Sequence, residues 1–281
     1  MNVFEMIKAG LRIAGTSRSL WLYGFFVGLA SAANSSKGPV PGAPAAAVAT
    51  HGFTSAPGLL AILLLILFVA GAFMYFVSEG ALIEGVRRTR AAAPPSVRQS
   101  WRDGVAHWGV LLRIAVIYFA TGGGSLLVLA APALLAFKLS GTALATGFAV
   151  PALLIAVPWF VTLYMWQAFA SRIAVIENRH ARDAISKARL FLHGRLLHGL
   201  KLIVASVLGR IIVGLAGAIV LAVLALVDIA VLSIFGMTQA ALPVIAVVAT
   251  TLLPIGVILV AISGTTESSI WTIGYLTQAQ Q

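Results

Sequence analysis

Cysteine is absent from this chain of 281 residues. That excludes disulfides, thiolate metal sites, thiol catalysis and palmitoylation. Acid is scarce as well: Asp and Glu number 8 against 19 Lys and Arg, and charged residues make up only 10% of the chain. A globule of this length needs far more polar surface, so one large soluble core is excluded. Walker, dinucleotide-binding and G-x-S-x-G patterns are missing too, which leaves ATPase, dehydrogenase and hydrolase readings without support. His107, His180, His193 and His198 match no H-E-x-x-H or similar ligand spacing, so neither a metal nor another cofactor is expected. The sequence points away from an enzyme.

What is present is hydrocarbon. Hydrophobic residues reach 60% and mean hydropathy is +1.01, far outside the range of soluble domains. Apolar runs of about 18 to 20 residues suffice to cross a hydrocarbon core of roughly 30 Å. Their unbroken Leu, Ile, Val and Ala content argues for helices and against the alternating strands of a β-barrel. The expected class is an all-α integral membrane protein with six transmembrane helices. The spans fall near residues 20–33, 58–77, 109–137, 148–170, within 200–234, and near 242–263, the first being short.

The formal net charge of +11 sits in loops beside these spans, not on a nucleic-acid face. There, basic residues orient the protein and attract anionic lipid, at about 1 kcal/mol each near the surface. Three precede the first span, five lie in 78–108 and seven in 172–201, whereas only Lys37 and Lys138 fall in the opposite loops. Both termini are therefore expected on the cytoplasmic side of a cell (inner) membrane. The basic stretch 172–201 offers Arg179, Arg182, Lys187, Arg189 and Arg195 as anionic-lipid contacts, and Asp183 and Lys187 stand at the i,i+4 spacing of an ion pair.

Three interfacial amphipathic helices are expected. Phe4, Ile7, Leu11 and Ala14 share a face in the first, and Val97, Trp101, Val105 and Trp108 in the second, which follows Pro94-Pro95. Ala181, Ala184, Ile185, Ala188, Phe191 and Leu192 share a face in the third. A cleaved signal peptide ending at Ala30-Ser31-Ala32 is the alternative for the N-terminus, but its basic region is long and amphipathic. Residues 34–57, rich in Pro, Ala and Gly, read as an irregular extracytoplasmic loop.

The chain also reads as one membrane domain of three copies, at about 1–90, 91–180 and 181–281. Each copy is an amphipathic helix, a span, a turn, a span and a polar helical extension. Leu11-Arg12, Trp101-Arg102 and Ala188-Arg189 occupy matching places before the odd spans. SEGALIEG, SRIAVIEN and TESSIWTIG follow the even ones, which aligns Glu79, Arg172 and Glu267, and Glu84 with Glu177. Three like-oriented helical hairpins result. With SWRDGVAHW, ARDAISKARLFLHG and SSIWTIGY, the chain resembles the bacterial six-helix membrane proteins related to the membrane domain of glycerophosphoryl diester phosphodiesterases. The resemblance covers nearly the whole chain and implies topology; their catalytic barrel with acidic metal ligands has no counterpart here.

Candidate site residues are few. Ionisable groups inside spans are the best functional pointer in a membrane protein, which singles out Arg210 and Asp228. Either Arg210 lies near the midplane and needs a partner, or the two bracket residues 211–227 at opposite interfaces. Gly122, Gly123 and Gly124 align near Arg210 in the repeat and would leave room for its guanidinium. Pro158 and Pro254 interrupt corresponding spans, as in transporter binding regions, although proline also serves ordinary packing. Glu79, Arg172 and Glu267 form either a charged rim at the cytoplasmic mouth or separate interfacial ion pairs. Two functions follow: a transporter-like or lipid-handling bundle, or an accessory scaffold that binds anionic lipid and packs on a membrane-protein partner or its own copy.

Overall fold

The computed structural model describes residues 2–35, 57–93, 96–140, 142–234 and 241–279, and every regular element among them is helical. In order these are α1 (Val3–Thr16), a short 3-10 turn (Arg18–Leu20), α2 (Trp21–Ser35), α3 (Pro57–Arg90) and α4 (Val97–Ser140). There follow α5 (Thr142–Ile176), α6 (Ala181–Leu192), α7 (Leu196–Ile234) and α8 (Ala241–Ala279). Most of the expected loop 34–57, and Pro94-Pro95, lie outside the described residues.

Five of these helices, α3, α4, α5, α7 and α8, contain segments long and apolar enough to cross a membrane. This is the all-α fold of a multi-pass membrane protein. The 15 described residues of α2 fall short of that length. The others overshoot it: the 44 residues of α4 extend about 66 Å at 1.5 Å per residue, twice a bilayer's hydrocarbon. Their polar ends must therefore project past the apolar segment. The amphipathic stretch at 97–108 is accordingly not a separate helix. It forms the first turns of α4 and runs unbroken into the apolar run.

The chain gathers into two compact units, Met1–Val105 with Ala205–Ile273, and Ala106–Val204 with Gly274–Gln281. In the first, Leu20, Tyr23, Val27, Ala81, Leu82, Val86 and Ile273 form a buried core. Against α8, α1 packs through Gly10, whose Cα faces the Ile270 side chain, and it buries Met6, Ile7 and Ala14. Phe4, assigned by its spacing to the same face, is instead 74% exposed. The stripe through Met6, Gly10 and Ala14 runs to one side of it, because a small residue admits the neighbouring helix more closely than an aromatic does.

The same substitution of small for large recurs at the start of α4. Val97, Trp101, Val105 and Trp108 are all exposed, while Gly104 lies against the Val77 backbone carbonyl of α3. The expected apolar face is thus the outer one, where tryptophan suits a lipid interface. Closest of all is the crossing of α2 and α8. Gly24 meets the Ala261 carbonyl, Gly28 the Val260 carbonyl, and Gly264 the Gly24 carbonyl and Gly28 nitrogen, with no room for a Cβ at any of the three. This is the small-xxx-small packing by which membrane helices bring backbones together.

In the second unit, α6 buries Ala181, Ala184, Ile185, Ala188 and Leu192, the expected face. Phe191 is half-buried and joins Phe169 and Tyr275 in a ring cluster with centroids 5.2 to 6.4 Å apart. Asn178, at φ +50°, makes the turn from α5 into α6. Asparagine tolerates that left-handed conformation where most side chains do not.

Burial runs opposite to a soluble protein. The most apolar windows of the five long helices are only 11% to 22% buried. By contrast Ser78, Glu84, Ser171, Arg172, Thr265, Thr266, Glu267, Ser268, Ser269 and Thr272, in the polar ends of α3, α5 and α8, are all buried. Within each unit, helices pack on one another through these polar ends and leave most of their described hydrocarbon uncovered.

Candidate functional site

Arg210 of α7 and Glu267 of α8 meet as an ion pair. Arg210 Nε donates to Glu267 Oε2 at 3.0 Å, and Nη2 donates to Oε1. Ser31 of α2 completes the node, its hydroxyl 3.4 Å from both Arg210 Nη2 and Glu267 Oε2. The carboxylate side chain is 9% exposed and the guanidinium side chain 37%. A two-pronged guanidinium–carboxylate contact fixes geometry as well as charge, and three helices are pinned by it.

Asp228 is not part of this node. It is buried and accepts a hydrogen bond from Thr251 Oγ1 of α8 at 2.5 Å. The two helices are thus tied twice. At 1.5 Å per residue, α7 advances about 27 Å from Arg210 to Asp228, and α8 about 24 Å from Thr251 to Glu267. Between these rungs α7 is hydrocarbon, with Leu215, Ile219, Val223 and Leu226 exposed.

Around Glu267, α8 carries a buried belt of hydroxyls. Thr265 Oγ1 donates to the Ala261 carbonyl and Thr272 Oγ1 to the Ser268 carbonyl, each at 2.8 Å. Thr266, Ser268 and Ser269 are buried with hydroxyls that find no partner among the described residues. Small hydroxyl residues let α1, α2 and α7 approach closely while keeping the carboxylate in polar company.

Two further carboxylates collect cations at helix ends. Glu84 binds Arg87 at 2.5 Å and Arg88 at 2.9 Å, and Arg88 reaches on to Asp103 of α4 at 2.8 Å. Glu177, just past α5, accepts from Arg179 at 2.9 Å, from Lys187 at 2.6 Å and from the Tyr275 hydroxyl at 2.5 Å. Lys187 therefore pairs with Glu177 and not with Asp183. An exposed i,i+4 pair gains only about 0.3–0.5 kcal/mol, less than a half-buried carboxylate already held by other donors offers. Burial works to raise the Glu177 pKa, but the hydrogen bonds from Lys187, Tyr275 and Arg179 outweigh it and hold the carboxyl below its ordinary value.

Arg172 is buried and donates from Nη1 to the Ala168 carbonyl of its own helix at 2.7 Å, and Glu79 is half-buried on α3. Pro158 and Pro254 lie inside α5 and α8, which continue through them. Around the glycine triplet, a Cβ on Gly122 would touch Phe160, and one on Gly123 or Gly124 would meet nothing within 4 Å among the described residues. Of the basic residues in the α6 region, Arg179 and Lys187 are engaged with Glu177. Arg189 lies 5.2 Å over Trp166, Arg195 lies 5.4 Å over Phe191, and Arg182 is exposed.

Ser31, Tyr275 and the Gly24, Gly28 and Gly264 seam are partners that the sequence reading passed over. The Gly24-x-x-x-Gly28 spacing was the available signal. No family model matches the chain, and neither a curated protein nor a solved structure gives a significant match.

Proposed function

We propose that the chain is a non-enzymatic, multi-pass protein of a bacterial inner membrane: a helical bundle that handles lipid. The observation that carries this reading is the shallow burial, 22% at most, of the apolar windows in all five long helices. Acyl chains are the natural cover for such surfaces. The polar ends, rich in arginine, are suited to headgroups.

The reading takes α2 as a sixth span, giving three like-oriented hairpins with both termini cytoplasmic. Backbone contact of α2 with α8 through three glycines supports it. So does the distribution of basic residues. Glu84 and Glu177, at matching repeat positions, each gather two basic side chains, which supports the threefold repeat. The two rungs between α7 and α8 support placing Arg210 at the inner interface and Asp228 near the outer one. Kinship with the phosphodiesterase membrane domain belongs to the same proposal and rests on the motifs quoted above.

The test is reconstitution of the full chain into liposomes holding a fluorescent phospholipid in one leaflet. Faster movement of the label between leaflets than in protein-free liposomes is the expected result, with Glu267→Gln altering that rate. A rate equal to the protein-free control would discard lipid handling. It would leave the second reading, an accessory subunit whose exposed apolar helices pack on a membrane-protein partner or a second copy.

A further inference from the structure

Hydrogen-bond donors gather where α4, α5 and α6 meet inside the second unit. A Cβ on Gly122 of α4 would lie 3.5 Å from the Phe160 ring of α5, so these helices run side by side. Tyr118, one turn before Gly122, falls on the same face of α4. It is 5% exposed, and its hydroxyl stands beside the Arg189 guanidinium of α6. That guanidinium lies 5.2 Å over the Trp166 ring of α5. Trp166 in turn meets Trp159 edge to face, with centroids 6.1 Å apart.

What this cluster lacks is an acceptor. The Tyr118 hydroxyl and Trp159 Nε1 are buried with no partner in hydrogen-bonding geometry among the described residues. An indole N–H only donates, and a phenol can only accept from a guanidinium, so both protons stay unplaced. The acids of this unit are engaged or placed elsewhere. Glu177 holds Arg179, Lys187 and Tyr275, and Asp183 is exposed in the first turn of α6. A buried donor without an acceptor costs free energy, which oxygens brought by a ligand would recover. Beside the cluster α5 exposes Leu154 and Val157, and α4 exposes Phe119, so that ligand continues into hydrocarbon. We propose that the cluster binds one anionic phospholipid, Arg189 holding the phosphate while Tyr118 and Trp159 donate to the ester oxygens. Arg189 is exposed and Trp166 half-buried, so these two side chains form the way in. The inference rests on the membrane reading above but not on lipid movement, because a scaffold would hold such a lipid equally well.

The experiment uses the full chain, stripped of lipid in nonionic detergent. Its thermal unfolding is followed as phosphatidylglycerol, phosphatidylcholine or inorganic phosphate is added, with native mass spectrometry for stoichiometry. Phosphatidylglycerol should bind at one lipid per chain, about fivefold or more tighter than phosphatidylcholine. Arg189→Gln should weaken that affinity about tenfold. Tyr118→Phe and Trp159→Phe each remove one donor and keep an aromatic ring, and each should weaken it about fivefold. Without lipid, Tyr118→Phe should melt no lower than the natural chain, because its hydroxyl has no acceptor to lose. Arg98→Gln, at an exposed position in the first turn of α4, should change affinity less than about twofold. Stabilisation by inorganic phosphate with the same dependence on Arg189 and Tyr118 would support the oxyanion site but assign it to a soluble ligand. Phosphatidylglycerol binding that survives both Arg189→Gln and Tyr118→Phe would overturn the proposal, as would a lipid-free Tyr118→Phe chain that melts lower with its affinity intact. Binding retained by a chain that fails to move lipid would discard the lipid-handling reading alone.

Discussion

Arg210 and Glu267 lie 57 residues apart in sequence and form the two-pronged ion pair that ties α7 to α8, with Ser31 of α2 at its edge. Removing one partner strands the other beside apolar helix. Arg210→Ala should therefore destabilise the chain by about 1–3 kcal/mol, the lower end reflecting the partial exposure of the guanidinium. Glu267→Gln should cost a similar amount. The double variant should cost less than the sum, by about 1 kcal/mol, in thermal unfolding in detergent. Strict additivity would show that the pair does not couple the helices.

The glycine seam makes a sharper prediction. Gly24→Leu or Gly264→Leu forces a side chain into the opposing backbone and should destabilise by at least about 1–3 kcal/mol, with loss of the α2–α8 contact. Gly123→Leu, at a position facing open space, should leave the melting temperature nearly unchanged. Cysteine pairs introduced across α2 and α8 in this cysteine-free chain would report the contact directly. Efficient cross-linking in the Gly24→Leu variant would count against the seam.

How far this architecture can be read from residue order depends on what covers each surface. The long helices, their class and the buried face of α6 follow from hydropathy and from Ala181, Ala184, Ile185 and Ala188. The outward faces of Phe4, Trp101 and Trp108 do not. Amphipathic spacing says that an apolar stripe exists, but lipid and protein are both apolar solvents, so it cannot say which one covers the stripe. Arg210 and Glu267 were each legible as unusual charges. Their pairing was not, because it joins distant segments and depends on the α7–α8 register.

Glu177 carries a pH dependence whose sign follows from its lowered pKa. A carboxyl depressed in the folded state contributes stability that is fully present above its unfolded value, near 4.5, and lost as pH falls through the folded one. The link among α5, α6 and Tyr275 should therefore loosen only below about pH 4.5. Hydrogen exchange across α6 should rise there in the natural chain. In Glu177→Gln it should already be elevated at neutral pH and respond little to acid.

The basic surface of α6 should act unevenly on anionic membranes. Arg182 is exposed, whereas Arg179 is held by Glu177 and Arg189 lies over Trp166. Arg182→Gln should weaken binding of the detergent-purified chain to anionic liposomes about fivefold at low salt, the equivalent of about 1 kcal/mol. Arg179→Gln should weaken it less and lower thermal stability instead. Equal losses from both, persisting at high salt, would show that simple surface charge does not govern the contact.

The rungs at Arg210–Glu267 and Asp228–Thr251 also make the α7–α8 pair a gauge of its surroundings. Polar ties about 25 Å apart on otherwise oily helices define a preferred hydrocarbon thickness, since a thicker bilayer would draw one tie into oil and a thinner one would leave oil in water. Melting temperature measured across phosphatidylcholines of increasing acyl length should pass through a maximum. Asp228→Leu, which erases the tie to Thr251, should shift that maximum toward longer chains.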